Sequence, residues 1–270
     1  MPNAAIFFQT AAPVHIDWAK ILQIAGMVGA GAAAGRLFAG GLHRKYRALF
    51  FYLMLRLLYG FIPLLLSNTS TQLFEKVYIC SQPLIWAFYV LMVRELYALA
   101  LASHRGLQTL GRWAMYVAVT ISVTVSMLSI LKKITPKTAQ LSAMLGYVFA
   151  IDRGINFALV LFILLILFFL SRYPIALSRN VVRHSAFLFL FFLSNAGVLL
   201  LRTIYGPAVS AELSMAVAAI GTLMVFAWLF LISPAGEITR KVVGIAPEHE
   251  EHILRQLDSL NATLLKISRN

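Results

Sequence analysis

Seven apolar stretches alternate with short polar connections along the chain: Trp18–Leu37, Leu49–Leu66, Tyr78–Leu101, Trp113–Leu131, Gly146–Leu170, Ser185–Leu201 and Leu213–Ile232. Each comes near the roughly 20 residues with which an α-helix crosses ~30 Å of hydrocarbon. In that medium the backbone must satisfy its own N–H and C=O groups, so spans are helices or strands of a closed barrel. The polar/apolar alternation of barrel strands is missing, and the runs therefore predict helices. Turn-forming residues punctuate the connections: Ser67-Asn68-Thr69-Ser70, Thr135-Pro136-Lys137, Tyr173-Pro174 and Tyr205-Gly206-Pro207. None of these connections has room for a second soluble domain. The pattern predicts an all-α polytopic bundle of about seven transmembrane helices over residues 1–236.

Ser233-Pro234-Ala235-Gly236 then breaks the last helix, and residues 237–270 read as a cytoplasmic tail. Between Pro247 and Ile267 a second period appears. Ile253, Leu257, Leu260, Leu264 and Ile267 follow at steps of 4, 3, 4 and 3, an a/d seam on a short amphipathic helix. Two heptads are too short to hold an independent coiled coil. The seam suits docking on a protein partner or a second copy of the chain, and the competing reading lays it on the membrane surface.

Composition agrees with a bilayer as the solvent. Of 270 residues 60% are hydrophobic and 12% charged, with a mean hydropathy of +0.82, whereas soluble domains carry about 25% charged residues. The net charge of +13 would suggest nucleic acid in a soluble protein. Here basic residues set topology and meet anionic lipid, so the expected partner is the bilayer and not nucleic acid. The one cysteine, Cys80, excludes an internal disulfide and a cysteine-based zinc site. Met1 to Thr10 lack a basic stretch, so no cleavable signal peptide is expected.

Of the 23 Lys and Arg residues, 14 fall on one set of connections and the tail, six on the other set, and three, Arg56, Arg94 and Arg153, within spans. The richer side is expected to be cytoplasmic, which puts the N-terminus outside and the C-terminus inside. Lys132, Lys133 and Lys137 run against this pattern. Trp18, Trp113 and Trp228 near span ends suit the interfaces. Gly31 and Gly35 form a GxxxG in the first span, expected to pack closely against a neighbouring helix or a second copy.

Charge inside a bilayer is costly and is where function would be sought. Arg56 in the second span and Arg94 with Glu95 in the third each lie about 10 Å from the cytoplasmic end at 1.5 Å per residue. That depth predicts an Arg56–Glu95 pair, with Arg94 turned about 100° away. Asp152 and Arg153 form a separate charged pair near the outer interface, and Asn195 in the sixth span is expected to bond across helices. His43, His104 and His184 fall at cytoplasmic span ends and His15 outside, with no second ligand at helical spacing. No metal or other cofactor is expected.

Retinal chemistry needs a lysine in the last span, and Leu213–Ile232 has none. An intramembrane serine protease would need a histidine within a span, and an aspartyl protease two aspartates. P-loop and CxxC motifs are missing as well. The chain reads as a non-enzyme.

Glu95-Leu96-Tyr97, Asp152-Arg153-Gly154, Tyr173-Pro174 with Ser178-Arg179-Asn180-Val181-Val182, and Ser233-Pro234-Ala235-Gly236-Glu237 resemble motifs of a group of uncharacterised bacterial seven-helix membrane proteins. The resemblance implies the bacterial inner membrane and carries no functional residues with it. Three functions stay open. The leading one is a sensory or interaction module that reports through its tail helix to a partner protein. The others are a small-solute transporter or channel using Arg56, Arg94 and Glu95, and a structural subunit of a membrane complex. Proline-broken spans at Pro63 and Pro83 would favour the transporter.

Overall fold

The computed structural model describes residues 18–65, 71–102, 105–131, 140–172, 177–205 and 209–238, with single positions 255, 259 and 262. These residues form α1 (Trp18–Ala39), α2 (Arg47–Leu65), α3 (Thr71–Ala100), α4 (Arg105–Leu131), α5 (Gln140–Arg172), α6 (Arg179–Tyr205) and α7 (Ser210–Leu231). Two 3₁₀ turns, Leu42–Arg44 and Pro234–Glu237, lie at one end of the bundle. Six of the helices, all but α2, are long and apolar enough to cross a membrane, so the chain has the build of an integral membrane protein. At 19 residues α2 is the shortest, with Arg56 midway along it.

Several helices outrun the apolar stretches that announce them. The fifth stretch begins at Gly146, whereas α5 begins at Gln140 and has 33 residues, about 50 Å at 1.5 Å per residue. Hydrogen bonding continues a helix past the hydrocarbon boundary wherever no proline or glycine stops it. Pro83 does not stop α3, which runs through it for 30 residues, and α2 continues past Pro63 to Leu65. Among the described residues the proline-broken spans considered above are therefore not found.

Neighbours follow a ring. α1 packs against α7 and α2, α7 against α6, α6 against α5, and α3 closes the ring between α2 and α5. α4 lies outside, against α5. The interior is made by residues such as Ala33, Leu53, Leu96, Ile163, Phe192 and Trp228. Large apolar side chains also cover the outside: Phe168, Ile204, Leu223 and Phe230 are each more than 60% exposed. In water such a surface would aggregate, whereas in lipid it is the ordinary exterior.

Small residues decide how closely the helices approach. A Cβ on Gly29 would stand 3.1 Å from Val225 Cγ1, and one on Gly26 would stand 3.1 Å from Thr222 Oγ1. The tight α1–α7 seam therefore uses Gly26 and Gly29, with Ala30, Ala33 and Ala34 buried beside them. Within the chain, Gly31 and Gly35 do not make such a close seam. Gly31 meets Leu57 of α2 at an ordinary 3.6 Å, and nothing lies within 4 Å of a Cβ on Gly35, which is exposed.

Candidate functional site

The densest polar cluster in the described residues lies where α7 ends. Ser233 is extended, Pro234 opens the 3₁₀ turn, and the turn carries Glu237 back over the end of the bundle. Asn180, buried in the first turn of α6, holds this segment from both sides. Its Nδ2 donates to Ser233 O at 2.7 Å and to a Glu237 carboxylate oxygen, and its Oδ1 accepts from Ser233 N at 3.3 Å. Only glycine fits at position 236, because a Cβ there would lie 2.1 Å from Asn180 Oδ1.

Glu237 completes the cluster. Tyr46 Oη donates to its Oε1 at 2.8 Å, and Lys45 Nζ forms an ion pair with its Oε2. Burial pushes the Glu237 carboxyl up, but the hydrogen bonds from Lys45, Asn180 and Tyr46 outweigh it and hold the group below its ordinary value. Burial first, then the hydrogen bond to Glu237 and its charge, pushes the Tyr46 phenol well above its ordinary value. Lys45 is largely exposed, and exposed ion pairs contribute only about 0–1 kcal/mol. The bonds from buried Tyr46 and Asn180 therefore carry most of the hold.

Two arginines brace the same end. Arg36 of α1 donates to Leu229 O at 2.5 Å, and Arg183 of α6 donates to Leu231 O at 2.6 Å. Both satisfy carbonyls that the last turn of α7 leaves without helical partners, where positive charge is also favoured. Beneath them His184 is fully buried, its ring edge-on to Tyr46 at 5.7 Å and tilted against Trp228 at 6.0 Å. Among the described residues neither His184 nitrogen nor Trp228 Nε1 has a hydrogen-bond partner. The chain leaving the membrane domain at residue 237 is thus fastened to α1, α6 and the α1–α2 connection together.

Several residues singled out in the sequence lie elsewhere. Glu95 and Arg56 are not brought together. Glu95 Oε2 accepts from Ala48 N at 2.8 Å and caps the start of α2. Arg56 lies two turns further along, about 12 Å away by helical rise, where Nη1 reaches Tyr52 Oη at 3.4 Å. Depth along a span cannot resolve which of two nearby levels a carboxylate reaches, and the amide-rich start of α2 won. Arg94 is exposed on α3, away from Glu95.

Asp152 is held across helices. Trp86 Nε1 of α3 donates to its Oδ1 at 2.9 Å, and Asn156 Nδ2 donates to the same oxygen at 3.0 Å. Arg153, next to it, is half-buried. Two residues on, Gly154 lets α4 approach so closely that a Cβ would meet Ser122 O at 2.9 Å. Asn195 turns back on its own helix and donates to Phe191 O at 2.9 Å, the i−4 bond open to a short polar side chain within a helix. His43 stacks on Phe38 at 4.8 Å. His15 and His104 lie outside the described residues, as do Ile253, Leu257, Leu260, Leu264 and Ile267. Among the described residues no group of three His, Cys, Asp or Glu could hold a metal.

Sequence reading missed Lys45, Tyr46 and Asn180 as partners of Glu237. The available signal was the acidic residue directly after a helix-breaking Ser-Pro-Ala-Gly in a strongly basic setting. No protein-family model matches this chain, and neither a curated protein nor a solved structure matches it.

Proposed function

We propose that this chain is a sensory or interaction module of the membrane whose output is its tail, residues 237–270. The observation that carries the reading is the fastening of Glu237 to Lys45, Tyr46 and Asn180. A rearrangement of α1, α6 or α7 at this end has to disturb that cluster, and so has to change how the tail leaves the bundle. Local changes become a signal when they bias an element with two arrangements, and a polar latch at a chain exit is such an element.

The finer layout belongs to the same proposal. α2 makes the seventh crossing between α1 and α3, because an even number of crossings would put both ends of the chain on one side. The 14-to-6 distribution of basic residues puts the latch and tail in the cytoplasm and the N-terminus outside. The resemblance to bacterial seven-helix proteins supports the inner membrane. The tail seam of Ile253, Leu257, Leu260, Leu264 and Ile267 supplies the contact with a protein partner or a second copy. Continuous helices through Pro63 and Pro83 speak against a transporter built on broken spans.

The test is capture of partners by the full-length protein. Leu257→Asp with Leu264→Asp puts charge into the apolar seam outside the bilayer and should abolish partner capture and self-association while the bundle stays folded. Recovery of the same partners from wild type and double variant would sink the reading.

A further inference from the structure

Arg56 stands midway along α2, about 13 Å from the start of the helix by helical rise. With α2 as the proposed seventh crossing, a guanidinium at that depth is drawn away from bulk water and needs acceptors for its five N–H groups. Among the described residues its hydrogen-bonded acceptor is Tyr52 Oη at 3.4 Å, the long limit of a hydrogen bond. Glu95, the acid expected beside it from the sequence, is engaged at the start of α2.

The surroundings are shaped to seat this side chain rather than to neutralise it. A Cβ on Gly221 of α7 would lie 2.8 Å from Arg56 Nη2 and 3.3 Å from Nη1. One on Gly26 of α1 would lie 3.7 Å from Nη2. Gly221 therefore stands where a larger residue would crowd the guanidinium, while Gly26 lines the other side at ordinary contact distance. Thr222, beside Gly221, uses its hydroxyl proton on Leu22 O at 3.2 Å and adds a polar wall. Tyr89 stands behind Tyr52, ring to ring at 5.8 Å. Arg56 itself is half-buried, so the cradle is not sealed.

We propose that Arg56, seated between Gly26 and Gly221 and steadied by Tyr52, is a binding site for a single oxyanion, a carboxylate or phosphate group. A planar guanidinium matches the two oxygens of such a group with parallel hydrogen bonds, and a low-dielectric setting strengthens them. The site is independent of the tail latch. Its depth favours a small soluble anion, and an acidic lipid headgroup offers the same chemistry from the bilayer.

The experiment uses the purified full-length protein in a neutral detergent. Thermal stability is followed against inorganic phosphate and against acetate, with chloride at matched ionic strength as the control. Native mass spectrometry in parallel measures retention of phosphatidylglycerol against phosphatidylcholine. Wild type should gain stability with phosphate or acetate in a saturable way. Arg56→Gln should weaken this by about tenfold or more, the usual consequence of losing a charge-assisted bond. Gly221→Ala keeps the charge but pushes the guanidinium out of its cradle, and should weaken it too. Selective retention of phosphatidylglycerol that depends on Arg56, without an effect of the soluble anions, assigns the oxyanion to lipid and also supports the site. If Arg56→Gln does not fold, Arg56→Lys and Gly221→Ala carry the comparison. Responses to phosphate, acetate and phosphatidylglycerol that are the same in wild type and variants would overturn the proposal.

Discussion

Two polar regions of this bundle are built on opposite principles. At the end of α7, donors and acceptors answer one another: Asn180 serves Ser233 and Glu237, Tyr46 and Lys45 complete the carboxylate, and Arg36 and Arg183 cover the last carbonyls of α7. Midway along α2, Arg56 lies against Gly221 and Gly26 and, among the described residues, makes one long hydrogen bond, to Tyr52. A saturated cluster holds one arrangement for as long as its partners stay in place. A charge with spare donors in a low dielectric has its remaining interactions to give to something else. On the two proposals above, the contrast is between a fastening that can be released and a site that can be filled.

The comparison breaks most readily at Asn180. Asn180→Ala removes three hydrogen bonds at a buried position and leaves Ser233 and Glu237 short of partners. It should destabilise the folded protein by about 2–4 kcal/mol, read as a lowered unfolding midpoint in detergent. A change of less than about 0.5 kcal/mol would mean that water replaces the latch without loss, and that the fastening is weak.

Acid should loosen the latch more gently. The folded-state value of Glu237 is depressed, so its contribution to stability is complete above the ordinary carboxylate range. It is lost as pH falls through the lowered folded value. Protease accessibility of the tail, measured between neutral pH and pH about 3, should rise on acidification in wild type. In Glu237→Gln it should already be raised at neutral pH and should respond less to acid. An identical pH response in the two proteins would remove Glu237 from the explanation.

The smallest expected effect is a coupling near zero. Glu95 caps α2 and Arg56 lies two turns beyond it, with no shared partner. Glu95→Gln and Arg56→Met should therefore be additive within about 0.5 kcal/mol. A substantial rescue of one by the other would show that the two charges do interact, and would undo the contrast between a satisfied region and an open one.

Motifs met in the sequence acquire separate physical meanings in the fold. In Glu95-Leu96-Tyr97 the acid caps α2, Leu96 is fully buried, and Tyr97 Oη donates to Leu107 O at 2.7 Å. In Asp152-Arg153-Gly154 the first residue joins α5 to α3 and the last allows contact with α4. Ser233 to Glu237 and Asn180, far apart in the chain, turn out to be two halves of one cluster. The helix break at Ser233-Pro234 was legible because proline and glycine act locally. Their docking was not, because nothing in a polar residue announces which distant partner it will meet.

That the chain is helical and built to span a membrane was legible in the sequence, since an apolar run long enough to cross hydrocarbon has few other folds. The helix ends were not, because helices such as α5 run past their apolar stretches. The face each helix turns inward was decided only by the tertiary structure. Lipid tails are as apolar as leucine, so the hydrophobic pattern that marks the buried face of a soluble helix is faint here. Gly26 and Gly29 make the close approach because α7 lies on that side of α1, while Gly31 makes only ordinary contact with α2. The same holds for the charges: sequence places Arg56, Glu95 and Glu237 along their own segments, and the packing of α1, α6 and α7 determines which finds a partner.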